Sequence, residues 1–268
     1  MCYSAMVKQS LRYLEQEFGA TVIRDSISQY ELWSQQDSKV YRPIVGDDAR
    51  IFPMNFTLGL VSPANSSIGI APMRYQVWPA SFAEDPKHLT LYNARRDNLD
   101  SKIWSPLLGK SHGLICISSF YEWVRVADLI EGSNVSLRDI EATFSQQKLE
   151  RKRKVEAAGK KFSPTPTEKL PAMERKIIVR FKPETDDVMI IPTLVAQRPS
   201  PLGGNMHSFA MITTEPPAEV AAAGHDRSPI QLSKEHAQDF INLKSPNKEA
   251  FLKLLASPRP SRYVVDLG

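Results

Sequence analysis

Residues 113–123, GLICISSFYEW, form a β-rich run that ends in an aromatic cluster around one carboxylate. β-branched and aromatic residues are typical of strands, and side chains alternate between the two faces of a strand. Alternation places Glu122 on the opposite face from Tyr121 and Trp123. A carboxyl group beside aromatic rings is partly desolvated, which raises its pKa and suits Glu122 to proton transfer. The alternative is a strand edge that exposes Glu122 between core aromatic residues.

Short β-rich runs separated by Pro and Gly flank this stretch on both sides. Helical periodicity is confined to the margins of the chain and to one polar segment, no βαβ alternation is evident, and we find no internal repeat. The sequence therefore predicts an α+β fold. The other predicted strands cover residues 56–61, 74–78, 89–93, 176–181, 188–196, 208–214 and 263–267.

Three helices are predicted towards the ends of the chain. An apolar stripe over residues 7–18, followed by Gly19, predicts a helix that begins almost immediately after Cys2. Ser233 opens a second helix, and Ser245, which is followed by a proline at the first helical position, opens a third. The N-terminal residues are therefore expected close to folded structure.

The segment 132–175 is polar and charged and differs from the rest of the chain. Ser136 with Asp139 resembles a capping box and predicts a helix with an apolar stripe at its start. A flexible loop is expected after it, so we interpret the segment as a charged helical insertion between two halves of one β-rich domain. The basic run 151–154 fits phosphate contacts or a nuclear-import signal, but a solvated helical face is the commoner explanation.

Composition and charge set modest bounds. The chain has 268 residues, 42% of them hydrophobic, and a formal net charge of +4, which permits a nucleic-acid partner without requiring one. Its two cysteines, Cys2 and Cys116, form no CxxC or Cys/His cluster, so neither a disulfide framework nor a metal site is indicated. No signal-peptide core or membrane span is evident. We expect a monomer without a cofactor or a membrane partner, located in the cytoplasm and, in a bacterium, associated with the nucleoid.

Cys2 becomes a 1,2-aminothiol if Met1 is removed, because a free α-amine and a thiol then belong to one residue. An aldehyde loses water to the amine to give an imine, and the sulfur then closes a five-membered thiazolidine. An α-amine pKa of about 7.7–8.0 and a thiol pKa of about 8.5 leave reactive forms of both groups near neutral pH. The alternative is a small buried hydrophobe or an inert terminal thiol.

Two polar clusters follow predicted strands. Asn93, Arg95 and Arg96 stand where a strand ends, and an amide can orient an amine while guanidiniums hold phosphates bidentately. Taken alone, this cluster also fits a strand end with exposed charge. His225 lies in the turn GHDRSP and titrates near neutrality. The other histidines, which have no comparable setting, are His88, His112, His207 and His236.

Four motifs occur in a fixed order: an N-terminal MC, NAR after a strand, FYEW, and HDRSP after SFAMITT. This order, over nearly the whole chain, resembles the SOS-response-associated peptidase (SRAP) family. The resemblance implies a single domain over residues 1–268, built around a β-barrel-like core of mostly antiparallel strands with flanking helices. It also implies a protein that processes its N-terminal methionine, binds single-stranded or junction DNA at abasic sites, and captures the sugar aldehyde as a thiazolidine.

The resemblance also implies roles for individual residues. Cys2 is the nucleophile, and Asn93 positions its amine. Glu122 assists opening of the sugar ring and Schiff-base chemistry, while His225 shuttles protons. These four residues are the expected catalytic set.

A second set is expected to bind DNA. Arg95 matches an arginine that contacts phosphate, and Arg96 and Arg227 are further candidates. Tyr75 and Trp78 offer rings on which bases could stack, with ordinary core packing as an equal alternative. For Trp123, in contrast, core packing is the expectation.

The chain departs from the family pattern at its first residues. The usual start is MCGR, whereas this chain reads MCYS, so an arginine close to the nucleophile is missing and Arg96 is a candidate replacement. The family pattern HxRMP appears as HDRSP, with Ser228 in place of methionine. Two other functions stay open: a cysteine peptidase or amidase that uses Cys2 and His225, limited in one form to self-processing, and a non-covalent nucleic-acid-binding module.

Overall fold

The computed structural model describes residues 4–62, 67–86, 88–185, 187–244, 246–259 and 262–268, so Cys2 and Ser245 lie outside the described residues. The strands in this part of the chain are β1 (Ser4–Val7), β2 (Thr21–Val22), β3 (Ile44–Val45), β4 (Arg50–Ile51), β5 (Phe56–Val61), β6 (Gly69–Tyr75), β7 (Asn93–Arg95), β8 (His112–Arg125), β9 (Lys176–Pro183), β10 (Met189–Pro199), β11 (Asn205–Thr214), β12 (Ser228–Pro229) and β13 (Tyr263–Leu267). The α-helices are α1 (Leu11–Phe18), α2 (Arg24–Gln36), α3 (Val126–Gly132), α4 (Leu137–Ala157), α5 (Ala218–Ala222), α6 (Lys234–Ile241) and α7 (Lys248–Leu255).

Five of these strands close into a barrel. β8 pairs with β10, β10 with β11, β11 with β6, and β6 with β5, which returns to β8 through Leu60 and Val61. All of these contacts are antiparallel except the one between β6 and β11. Closure of the ring satisfies the strand edges around the core. The predicted α+β fold with a barrel-like core is therefore confirmed.

β8 is long because it serves two sheets. Its first half belongs to the barrel, whereas residues 117 and 119–121 pair with β1 and residues 120–125 pair with β9. β4 and β13 extend this second sheet beyond β1 and β9. Phe120 stacks on Phe181 with ring centroids 5.0 Å apart, so the second sheet contributes to the main hydrophobic core.

The N-terminal helix begins later than predicted. Residues 4–7 form strand β1, and α1 starts at Leu11, where the Ser10 side chain caps the first turn. β1 pairs with strands that are remote in the sequence, so the local apolar spacing did not reveal it. The predicted end at Gly19 is confirmed, because Gly19 has a φ of 60° and its amide donates to the Glu15 carbonyl.

Two predicted strands are shifted along the chain. β6 ends before the predicted limit of 78, because Gln76 has a φ of 113°, a value that interrupts a strand. The Gln76 side-chain amide donates to the carbonyls of Pro86 and Leu89, which holds the chain in this turn. β7 begins at Asn93, where the predicted strand 89–93 ends.

The two C-terminal helices are present, one of them with a different start. Ser233 caps α6 as predicted. α7 begins at Lys248, because the Asn247 side chain accepts a hydrogen bond from the Ala250 amide and caps the first turn. The helix therefore starts after the predicted position at Pro246.

The charged insertion is a long helix onto which the following segment folds back. Ser136 caps α4 as predicted, and Ile140 and Phe144 are buried in the main core. Arg151 binds Glu168 at 2.5 Å, and this hydrogen bond lowers the pKa of Glu168 to about 2. The segment expected to be a flexible loop is therefore tied to the helix. None of the described helices, α4 included, is both long and apolar enough to cross a membrane.

Candidate active site

Glu122 and His225 form a buried carboxylate–imidazole pair. Glu122 lies near the end of β8, His225 follows α5, and Glu122 Oε2 is 3.2 Å from His225 Nε2. Only 2% of the Glu122 side chain and 10% of the His225 side chain are exposed. The fold thus brings together two of the four residues expected to be catalytic.

The pair can hold and pass a proton. Burial raises the pKa of Glu122, and the hydrogen bond from His225 offsets part of that rise. His225 Nδ1 lies 2.9 Å from the Arg227 carbonyl oxygen and 3.3 Å from the Arg227 amide nitrogen. The shorter contact favours a proton on Nδ1 donated to the carbonyl, which leaves Nε2 to share a proton with Glu122.

Gly224 sets the turn that carries His225. The Gly224 amide donates to the Ala221 carbonyl and the His225 amide to the Val220 carbonyl, the two bonds of the Schellman motif that ends α5. Gly224 has a φ of 85°, and a Cβ there would lie 2.5 Å from the Asp128 Cβ in α3. A side chain at this position conflicts with both the backbone and α3, so the sequence AAAGH determines where the imidazole stands.

β11 brings the NAR and HDRSP segments together. Thr213 in β11 pairs with Arg95 of β7 on one side and with Pro229 of β12 on the other. Asn93 begins β7 and is buried. The amide expected to orient an amine and the turn that carries His225 therefore flank the same strand, although they are far apart in the sequence.

Arg95 and Arg227 share a carboxylate that the sequence analysis did not single out. Asp97 accepts hydrogen bonds from Arg95 through both oxygens, at 3.0 and 2.6 Å, and lies 3.4 Å from Arg227 Nη2. The hydrogen bond from Arg95 lowers the pKa of Asp97 to about 2, so the carboxylate is ionised. Two guanidiniums that converge on one anion beside His225 are suited to phosphate oxygens. The signal for Asp97 was an acidic residue directly after the NARR run.

The other residues expected to bind DNA lie outside this cluster. Arg96 donates to a backbone carbonyl in α7. Tyr75 and Trp78 are both buried. The Tyr75 ring stacks on Phe209 with centroids 5.1 Å apart, and the Arg198 guanidinium lies 3.8 Å from the centre of the Trp78 ring. Protein atoms pack against these rings, which favours the core-packing alternative over base stacking.

Trp123 is exposed, contrary to the expectation that it packs in the core. Its side chain is 45% exposed, whereas Glu122 beside it is buried. The expectation was wrong because only the face of Glu122 and Val124 stays covered at the end of β8, whereas Arg125 on the face of Trp123 is exposed as well. Alternation along a strand assigns a face to each side chain but does not say how far along the strand that face is covered.

These features define a class: an α+β barrel domain with a buried carboxylate–imidazole pair beside two arginines that converge on Asp97. In the described part of the chain, no group of three or more His, Cys, Asp or Glu side chains is placed to hold a metal ion. The chain belongs to the SOS response associated peptidase (SRAP) family, whose model matches residues 1–265. The resemblance drawn from the four ordered motifs is therefore confirmed.

Comparison with solved structures supports the same fold. A Bacteroides thetaiotaomicron protein with 12% identity superposes with a TM-score of 0.58, and the match covers 95% of this chain and 86% of that protein. A Bordetella bronchiseptica protein with 15% identity also gives 0.58 and covers 100% and 99%. A phage-related protein from Bordetella bronchiseptica, with 14% identity, gives 0.54 and covers 98% and 94%. A comparison with curated proteins gives no match.

Proposed function

We propose that this protein captures abasic sites in single-stranded or junction DNA as a covalent DNA–protein crosslink through Cys2, after removal of Met1. The Glu122–His225 contact carries the proposal, because opening of the sugar ring and formation of an imine both need a positioned acid and base. The family name links SRAP proteins to the SOS response to DNA damage, which fits a DNA substrate.

The position of β1 supports Cys2 as the nucleophile. Ser4 pairs with Tyr121 in antiparallel register, and Tyr121 directly precedes Glu122, so β1 begins beside the acid–base pair. Cys2 precedes Ser4 by two residues, and two residues of extended chain span at most about 7 Å. The other cysteine, Cys116, is fully buried, and burial raises the pKa of its thiol, which makes it a poor nucleophile.

The proposed chemistry consists of proton transfers around one carbon atom. An abasic sugar is mainly a closed hemiacetal, so an acid and a base first open the ring and free the aldehyde. The α-amine of Cys2 adds to the carbonyl carbon, and loss of water gives an imine. The sulfur then attacks the imine carbon while the thiol proton passes to nitrogen, which closes the thiazolidine. Glu122 and His225 move the protons, and Asn93 orients the amine.

Arg95 and Arg227 bind phosphates beside the abasic sugar in this proposal. Both guanidiniums already converge on the Asp97 carboxylate, and their planar forks match phosphate oxygens. Phosphate contacts fix the position of a strand but do not read its sequence. We therefore expect selectivity for damage to come from the aldehyde reaction, and not from recognition of bases.

Denaturing gel electrophoresis tests this function. The mature protein, incubated with a single-stranded oligonucleotide that bears one abasic site, should give a band that resists denaturation, and the intact oligonucleotide should give none. Cys2→Ser should abolish the stable adduct, although its amine can still form a transient imine that borohydride traps. An equal stable yield from Cys2→Ser without reductant would contradict a thiazolidine.

The family name favours a second candidate, a cysteine-type peptidase that acts on its own first peptide bond or on other peptides. Intact-mass measurement and peptide assays separate the two functions. Loss of Met1 without turnover of peptides limits peptidase activity to self-processing. Turnover of peptides without any adduct on abasic DNA would replace the crosslinking proposal.

A further inference from the structure

We infer that Arg50 is a positioning residue that fixes the N-terminal strand β1 against β8. Arg50 lies on β4 and belongs to none of the four motifs. Its effect on crosslinking rests on the proposed function, whereas its effect on β1 can be measured without DNA.

Arg50 holds β1 by its side chain as well as by its backbone. It pairs with Met6 in the antiparallel β4–β1 ladder, and its Nε donates to the Ser4 Oγ at 2.7 Å. β4 has only two residues, so backbone pairing on this side of β1 reaches no further than Ala5 and Met6. The side chain of Arg50 extends the contact toward the amino terminus.

The same guanidinium bridges β1 to β8. The Arg50 Cζ lies 3.7 Å from the centre of the Tyr121 ring, a distance at which a cation is attracted to an aromatic face. Tyr121 is the β8 residue that pairs with Ser4, so Arg50 contacts both members of one cross-strand pair. Tyr121 directly precedes Glu122. The bridge therefore sets the place of β1 relative to the acid–base pair.

Arg50 is also relevant to the sequence MCYS, which replaces the family's usual MCGR at the start of the chain. Residue 4 is serine in this protein, and Arg96, the candidate replacement for the missing arginine, donates instead to a carbonyl in α7. Arg50 brings a guanidinium to residue 4 from a different strand. A lysine could not reproduce this arrangement, because one ammonium lacks the planar group that both donates to Ser4 and stacks on Tyr121.

Hydrogen exchange tests the structural part of the inference. Arg50→Ala should speed amide exchange in β1 by roughly tenfold or more through local opening, with exchange in β10 and β11 unchanged. Ser4→Ala removes only the acceptor and should act in the same direction, and adding it to Arg50→Ala should have little further effect. Lys8→Ala is the matched control, since it removes one positive charge beside β1, where Lys8 Nζ contacts Asp48 at 2.9 Å. This control should leave exchange in β1 as in the wild type.

Crosslinking kinetics test the catalytic part. Arg50→Ala should slow adduct formation by roughly 10- to 100-fold, because small displacements of a reacting group have effects of that size. Arg50→Lys should also be slow, although it keeps the charge. Affinity for intact single-stranded DNA should stay at the wild-type value. A loss of this affinity with a shallower salt dependence would overturn the inference and make Arg50 a phosphate contact.

The outcomes separate the two proposals. A wild-type protein that forms no adduct would refute the proposed function but not the exchange result. Unchanged exchange in β1, or a wild-type crosslinking rate in Arg50→Ala, would refute the role of Arg50. If Arg50→Ala destabilises the whole fold, Ser4→Ala and Arg50→Lys provide both measurements.

Discussion

The two ends of β8 each bury a titratable side chain, but the two side chains differ in chemical capacity. His112 starts the strand with 2% of its surface exposed, and its ring lies 5.0 Å from that of Phe240 and 6.0 Å from that of Phe251. Glu122, near the other end, is equally buried and faces the imidazole of His225. Burial lowers the pKa of His112 to about 4 and raises that of Glu122. Burial disfavours the charged form of both groups, and Glu122 in addition faces a titratable side chain with which it can exchange a proton.

Space does not account for the difference between the two ends. A cavity of about 1140 Å³ opens beside His112, and its lining includes the side chains of Lys110 and Lys244. Among the described residues, no acidic side chain lines it. Burial is what lowers the pKa of His112, and the described lining of the cavity offers no carboxylate to offset it. The cavity therefore lies at the His112 end of β8, and not at the end that holds the Glu122–His225 pair.

The largest effect should follow from breaking the pair at the Glu122 end. Glu122→Gln and His225→Ala each remove a proton-transfer group, which should slow adduct formation by roughly 10²–10⁴-fold. His112→Phe is the matched control at the other end of β8 and should leave the rate within about twofold, because an aromatic ring of similar size fills the same site. Quenched time courses on denaturing gels give the rates. If affinity for intact DNA fell as much as the rate, Glu122 and His225 would belong to the binding surface or to the fold.

A smaller effect is expected on the pH dependence of stability, to which His112 and Glu122 should contribute with opposite sign. Folding depresses the pKa of His112 from 6.5 to about 4. Its contribution to the free energy of unfolding is therefore present above pH 6.5 and is lost as the pH falls from 6.5 to about 4, by at most roughly 3 kcal/mol. His112→Phe should therefore resist acid unfolding better than the wild type between these pH values. Denaturant melts across the range measure the difference. The same acid dependence in both proteins would show that His112 does not titrate as a buried group.

Glu122 should show the reverse dependence in the same experiment. Its pKa is raised above the ordinary value of 4.5, so its contribution to the free energy of unfolding is present below pH 4.5 and is lost as the pH rises through the folded pKa. The stability of Glu122→Gln relative to the wild type should improve as the pH rises. A change in the opposite direction would mean that the carboxylate is ionised in the folded protein and stabilised by His225.

The smallest effect should come from a third region, the charged half of α4. Arg153 and Lys154 are exposed, so replacing both by glutamine should change neither the crosslinking rate nor the salt dependence of DNA affinity. A salt slope reduced by about one unit for each removed charge would assign them to phosphate contacts. Substitution is preferable to deletion of the insertion, because Ile140 and Phe144 of the same helix are buried. The comparison of the two ends of β8 would then include a region that is charged but exposed, which we expect to affect crosslinking least.

Sequence patterns predicted the elements whose signals are local. The strands at residues 56–61 and 263–267 have the predicted limits, and Ser136 and Ser233 cap helices as expected. β1 was missed because its strand character comes from pairing with β4 and β8, which local spacing does not contain.

The site could be predicted only in part, for a similar reason. No spacing rule links Glu122 to His225, since one lies on β8 and the other in a turn after α5. The order of four motifs brought them together, whereas composition and periodicity did not. The same order said nothing of Asp97 or Arg50, because their places depend on side-chain contacts between remote segments.

β1 is the first strand to be synthesised, and four of its six cross-strand pairs wait for β8. At a translation rate of about 5–20 residues per second, Tyr121 is added roughly 6 to 23 s after Ser4, its partner in the sheet. During that interval the start of the nascent chain has no β8 to pair with, which would leave Met1 open to the removal that the proposed function requires. When β8 arrives, Ser4 pairs with Tyr121, the residue directly before Glu122. The order of synthesis would thus separate the removal of Met1 in time from the pairing of β1 with β8.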